Sequence, residues 1–480
     1  MRTRGLMQTL DSISQKVEDA YVKREALLKM PISVLPEKEL ADQFVDYFEK
    51  TGKSKSLFEK AKRYFPDGVQ HHNTYVSPYP LFIKEGRGSK VFDVEGNAYL
   101  DFTMGAGAQL FGYASEHYDQ VWQTLATDRF PLFHHQEELE LAEKVNAFMP
   151  SVESIKFFQS GTEAVKAAIR LARASQKRDL VVKISGSYHG WMSPTIREIR
   201  QPGVGDLYMS GVPKVEANLC LTVPANDLSA LQKTIRKRSR KIAAVIVELP
   251  GPESGRIPIY PDFVHEIQRL CRKHQILFIL DEVVTGFRLA RGGSQAVYNL
   301  QPDLTILGKI IGGGTSLSAV GGHRDLIQYF SRDVTRTVRG RAIFVGGTMA
   351  ANRVSTMMGL ATLQAIEKND PYSTLDQKAQ KMVDRLNSLF DSAGFPFFAY
   401  HFGSIVQIEL VAWPTKFSWP RILDFQKRLS ATHQHQLFLQ SQGVLSLSGT
   451  RFFLSTAHTD EDLNHLVNAY QKLLELIPTK

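Results

Sequence analysis

The stretch Leu304-Thr305-Ile306-Leu307-Gly308-Lys309-Ile310-Ile311-Gly312-Gly313-Gly314 sets a short apolar run against a lysine and three consecutive glycines. A run of this length bounded by glycine reads as a buried strand. Working outward, the same pattern recurs at Ile155 to Phe158, Leu180 to Ile184, Ala243 to Val247 and Ile276 to Leu280. Between these runs, Glu163 to Arg173 and Phe263 to His274 carry apolar residues at helical period. Strands alternating with helices imply an α/β fold: a mostly parallel sheet covered by helices on both faces.

Further out the alternation stops. Residues 1 to about 105 mix helix-like segments with short strands, Pro80 to Lys84 and Lys90 to Val94, the second followed by the turn Glu95-Gly96-Asn97. After about Asp325 helical patterning returns. The last hundred residues mix strands, Gly403 to Glu409 and Phe452 to Ser455, with a closing helix from Asp460. The expected organisation is a large domain over 106–325 and a smaller α+β domain built from both chain ends, 56–105 and 371–480. A helical extension over 1–55 precedes them, and helices over 326–370 return from the large domain. In that extension Leu6, Leu10, Ile13, Val17 and Tyr21 recur at the spacing of a peripheral amphipathic helix.

Bulk properties narrow the function. With 43% hydrophobic and 22% charged residues over 480 positions, the chain reads as an ordinary globular protein with room for two lobes. No apolar run approaches the length that spans a bilayer. Cys220 and Cys271 form no CxxC pair, so neither a disulfide scaffold nor a metal site is expected, and a cytoplasmic location fits. The N-terminal residues include Asp11, Glu18 and Asp19, which argues against a secretory or transit peptide. The net charge of +9 is densest at Arg236, Lys237, Arg238, Arg240 and Lys241. No aromatic residues interleave there, so the run reads as a solvated helix end and no nucleic-acid partner is expected.

Ligands in open α/β sheets sit beyond the carboxyl ends of the strands, and four places there carry chemistry. Ser160-Gly161-Thr162 opens a helix after an apolar run, where free backbone N–H groups and the helix dipole can hold a phosphate; taken alone, a plain N-cap by Ser160 or Thr162 is the better reading. Asp281 follows Ile276 to Leu280, and a carboxylate in so dry a place needs a cation or several hydrogen bonds, whether a protonated pyridine or an ion pair with Arg288. Lys309, between a strand end and a glycine run, can be desolvated, which frees its amine for attack on a carbonyl; a surface lysine at a turn is the alternative. In Ser187-Tyr188-His189-Gly190 the tyrosine can stack on a planar ring or fill the core.

Taken together and in order, these residues resemble the class III aminotransferases of the fold type I superfamily dependent on pyridoxal 5'-phosphate (PLP). They are most similar to the branch containing glutamate-1-semialdehyde aminomutase and β-amino acid aminotransferases. The resemblance runs from about Leu57 to Leu476. Its strongest stretches are Lys90 to Asn97, Ser160 to Ala164, Ser187 to Gly190, Leu280 to Arg288 and Leu307 to Gly314.

The resemblance implies that Lys309 forms a Schiff base with PLP and that Asp281 pairs with the ring nitrogen. Tyr188 and Val283 would cover the two ring faces. Ser160, Gly161, Thr162, His189 and Glu248 would complete the cofactor site. Thr348 would reach the phosphate bound by a second subunit, which implies a homodimer with shared active sites. The implied reaction carries an amino group from an amino acid donor to an oxo acceptor through the pyridoxamine form of the cofactor. The alternative is a 2,1-aminomutase of the glutamate-1-semialdehyde type.

Two departures favour transfer between molecules. Where aminomutases carry Ser-Pro-Val-Arg, this chain reads His71-His72-Asn73-Thr74, so the arginine that binds the substrate carboxylate is missing. Before Ala457-His458-Thr459 the aminomutase glutamate is also missing, and Arg451 stands where other class III aminotransferases pair an arginine with a carboxylate. Arg451, His71 and His72 are therefore the substrate-binding candidates, although a surface ion pair between Arg451 and Glu461 is the competing reading.

Overall fold

The computed structural model describes residues 2–32, 34–71, 74–127, 133–199, 209–333, 342–412 and 422–477, with the backbone alone described for 2–6, 37–43 and 422–425. His72 therefore lies outside the described residues, as does part of the loop before Gln136. In chain order the strands are β1 (Ile83–Arg87), β2 (Lys90–Asp93), β3 (Ala98–Asp101), β4 (Ser154–Phe158), β5 (Leu180–Ile184), β6 (Cys220–Val223) and β7 (Ile242–Glu248). They continue with β8 (Leu277–Glu282), β9 (Leu304–Leu307), β10 (Ser318–Gly322), β11 (Phe398–Phe402), β12 (Ile405–Glu409), β13 (Val444–Leu445) and β14 (Arg451–Phe453).

The chain divides into two compact units. Most of the first is His117–Tyr372, joined by Met1–Ala20; the second holds Tyr21–Glu116 and nearly all the described residues after Tyr372. The first unit contains a seven-stranded sheet in the order β4-β10-β9-β8-β7-β5-β6. Five neighbours, β9-β8-β7-β5-β6, run parallel, while β10 is antiparallel to both β9 and β4. The expected α/β class and mostly parallel sheet are thus present, as in fold type I PLP enzymes.

All seven residues of β7 and all six of β8 are buried, which is why they read as continuous apolar runs rather than alternating ones. The helix Gly161–Gln176 packs on β7, β9 and β10 through Ala164, Ala167, Ala168 and Ala172, whose small side chains let it approach the sheet closely. The basic run lies at the exposed end of the helix Leu228–Arg238, as expected of a solvated helix terminus.

The second unit holds two smaller sheets, β1-β2-β3-β13 and β11-β12-β14. The strand expected at Pro80 to Lys84 forms later, at Ile83–Arg87. Gly403, expected to begin a strand, instead turns the hairpin between β11 and β12 with φ +52. Among the described residues no helix is long and apolar enough to cross a membrane.

Candidate active site

The carboxyl ends of β5, β7, β8 and β9 lie side by side, and each delivers chemistry to the same edge of the sheet. Glu248 ends β7 and pairs in register with Asp281 near the end of β8. Asp281 is buried, its Oδ2 lying 2.7 Å from His189 Nδ1 while its Oδ1 accepts the Val283 N–H at 3.1 Å. With the carboxylate as acceptor, His189 carries its proton on Nδ1. Burial pushes the His189 imidazolium below its ordinary range, and Nε2 finds no hydrogen-bond partner among the described residues. Asp281 is thus held by His189 and by the Val283 N–H.

Glu248 accepts the backbone N–H of Tyr188 at 3.0 Å and those of Glu253 and Ser254. Burial first, and repulsion from Asp281 second, push its carboxyl up to about 8. The sequence reading missed Glu253, which is buried at φ +48 with its Oε2 3.5 Å from Arg256 Nε. A buried acid in a Pro-Glu-Ser-Gly turn gives no periodic signal that would mark it.

The helix Gly161–Gln176 begins with a reciprocal cap: Ser160 Oγ accepts the Glu163 N–H, and Glu163 Oε2 accepts the Ser160 N–H. The plain N-cap reading of Ser160 therefore holds, and it leaves the N–H groups at Gly161 and Thr162 to the helix start. A Cβ on Gly161 would sit 3.2 Å from Val283 Cγ2, and one on Gly308 would sit 3.1 Å from Val283 Cγ1. Gly161, Val283 and Gly308 therefore meet as one tight wall. Lys309, half-buried directly beyond Gly308, adopts φ +52, an arrangement uncommon for lysine and frequent where a site dictates the backbone.

Gly190 has φ +80 and lies against Thr162, its virtual Cβ 2.5 Å from Thr162 Oγ1. Tyr188, two residues earlier, is 40% exposed, so it is not the core tyrosine of the competing reading. The donor set suits a phosphorylated pyridine: an amine at Lys309, a carboxylate at Asp281, a helix start for an anion and a flat apolar wall at Val283. Thr348 stands exposed in a turn of the same unit, beside the exposed Met349 and near Phe344, which is 88% exposed.

In the second unit Arg451 opens β14, pairs in register with Gln407, and is buried rather than at the surface. His71 is exposed; its carbonyl accepts both the N–H and the hydroxyl of Thr74. His71 and Thr74 line a groove of about 680 Å³ with Val69, Val76, Leu445 and Leu447 among its walls.

Comparison with known proteins agrees with this geometry. Residues 71–474 match the family aminotransferase class-III. Glutamate-1-semialdehyde 2,1-aminomutase of Persephonella marina is 33% identical over 437 residues, covering 87% of this chain and 97% of that protein. Among solved structures, an omega-transaminase from Sphaerobacter thermophilus superposes with a TM-score of 0.80 at 28% identity, covering 89% of this chain and 98% of that one. A beta-phenylalanine aminotransferase from Variovorax paradoxus also gives 0.80, at 26% identity, covering 92% and 97%. Across most of its length, then, the chain belongs to the class-III aminotransferase family and is a PLP-dependent enzyme.

Proposed function

We propose that the enzyme transfers an amino group between two different molecules, from an amino acid donor to an oxo acceptor, and works as a homodimer. The observation that carries this reading is the groove lined by His71 and Thr74, whose described lining contains no lysine or arginine. A substrate with an acidic side chain would meet no cation there, whereas an apolar side chain would be desolvated favourably. The names of the two structural neighbours, an omega-transaminase and a beta-phenylalanine aminotransferase, support the same reading. The curated relative's name, glutamate-1-semialdehyde 2,1-aminomutase, favours the second reading, an internal transfer that releases nothing.

The residues divide the work by position. The bound cofactor supplies an electron sink for the bond broken at the donor carbon. Lys309 would hold the cofactor through its amine and is the group placed to move the proton at that carbon. Asp281, steadied by His189, would keep a proton on the ring nitrogen. Tyr188 and Val283 would cover the ring faces and exclude water, while Ser160, Gly161 and Thr162 would hold the phosphate at the helix start. Glu248 holds the Tyr188 backbone in place through its N–H. Arg451 binds the donor carboxylate, with His71 and His72 as further contacts. Thr348, exposed beside Phe344 and Met349, meets the second subunit.

The test is a donor panel without added acceptor. A transferase releases one oxo product per active site and stops, with apolar donors ahead of glutamate. Isomerisation of glutamate 1-semialdehyde with no oxo product released would establish the aminomutase reading instead.

A further inference from the structure

Every residue of β5 is buried, yet its fourth is Lys183, with no exposed side-chain surface. An ammonium enclosed in an apolar strand is costly unless its donors are met. Lys183 Nζ donates to the Ser187 carbonyl at 2.9 Å and to the Thr195 carbonyl at 2.8 Å. These two carbonyls bracket the segment that supplies one side of the cofactor site. Within it the Tyr188 N–H meets Glu248, His189 Nδ1 meets Asp281, and Gly190 lies on Thr162. Thr195 Oγ1 closes the segment further by donating to the Met192 carbonyl at 3.1 Å.

We propose that Lys183 is a positioning residue for the cofactor site: its buried ammonium staples the two ends of the Ser187–Thr195 segment and so fixes Tyr188 and His189. Burial lowers the Lys183 ammonium to about 8, and the titratable groups facing it are Cys220, Glu248 and Glu198. An apolar residue in the same strand would pack as well and would leave the carbonyls of Ser187 and Thr195 without this donor. What the lysine adds is a fixed distance between them, on which the tyrosine ring and the Asp281–His189 pair depend. This inference needs only the cofactor site and is independent of the donor.

The experiment compares Lys183→Met and Lys183→Gln with the wild type, both with PLP and after its removal. In Lys183→Met the amide hydrogens of 188–195 should exchange faster in the cofactor-free protein, and the visible circular dichroism of bound PLP should shrink at unchanged cofactor content. Turnover should fall by about tenfold to a hundredfold, with the donor KM nearly unchanged. Lys183→Gln, whose carboxamide nitrogen carries two N–H donors, should recover part of each signal. Wild-type exchange and dichroism in both variants, with any loss confined to Tm, would overturn the proposal. So would failure of both variants to fold, since Lys183 would then belong to the folding core. Because exchange and dichroism are read without a donor, failure of the transferase reading leaves this test intact.

Discussion

Glu248 ends β7 and Asp281 lies one residue before the end of β8, at the same register position, and their surroundings separate them. Asp281 receives a histidine, whereas Glu248 receives only backbone N–H groups in full burial and is pushed up to about 8. The folded-state value thus lies above that of the unfolded chain, so the neutral form of Glu248 stabilises the fold. That contribution is complete below about pH 4.5 and is lost as pH rises through about 8. Glu248→Gln should therefore flatten the pH dependence of stability of the cofactor-free protein. The variant should gain on the wild type by about 3 kcal/mol between mildly acidic and mildly alkaline solution, a span that urea denaturation can resolve. Parallel curves for the two proteins would show that Glu248 is already ionised in the fold. Lys309, Asp281 and Tyr188 stood out as candidates in the sequence because each follows an apolar run or sits in a recognisable motif. Lys183 was not, because a lysine within such a run says nothing about which carbonyls, four and twelve residues onward, it will meet.

At the scale of elements, the Gly161–Gln176 helix and the segment ending at Gly190 form one joint. Gly190 has φ +80 and its missing Cβ would fall on Thr162 Oγ1, so two separate constraints require glycine there. Gly190→Ala should cost about 1–3 kcal/mol from the backbone alone. It should also displace Thr162 from the helix start, weakening PLP binding by about tenfold, a loss of about 1.4 kcal/mol. Fluorescence titration of the cofactor-free variant measures that affinity directly, and unchanged binding would detach Thr162 from the phosphate. Elements of this sheet were readable because full burial turns parallel strands into uninterrupted apolar runs, as at Leu180–Ile184 and Leu304–Leu307. The second unit was less readable. Its hairpin turns on Gly403, which the local pattern assigned to a strand, and β13 is only two residues long, too short to carry any period.

Over the whole molecule, the question is what the residues before the family match at 71 contribute. The helix Arg2–Leu28 buries Ile13, Val17, Ala20, Arg24 and Leu27 at intervals of four, three, four and three residues, the single packed face of an amphipathic helix. Arg24 is the revealing member. It is 1% exposed, and its guanidinium donates to Glu409 at 2.8 Å and to the Tyr400 hydroxyl at 3.1 Å, both on the β11–β12 hairpin of the same unit. Nothing in the sequence could pair residues 385 positions apart, since a single arginine in an amphipathic pattern reads as a solvated one. An ion pair so enclosed gains little over apolar packing but is costly to break from one side, because the remaining charge stays buried. Arg24→Met should accordingly destabilise the second unit by about 3–5 kcal/mol, and Glu409→Leu by a similar amount, whereas the double variant should recover most of the loss. Denaturant unfolding of the four proteins forms the complete cycle, and additive losses would show that the two side chains do not depend on each other. If the losses are coupled, the N-terminal helix is fastened to the β11–β12 hairpin by a charge pair, and truncation before residue 28 should destabilise the second unit at least as much as Arg24→Met does.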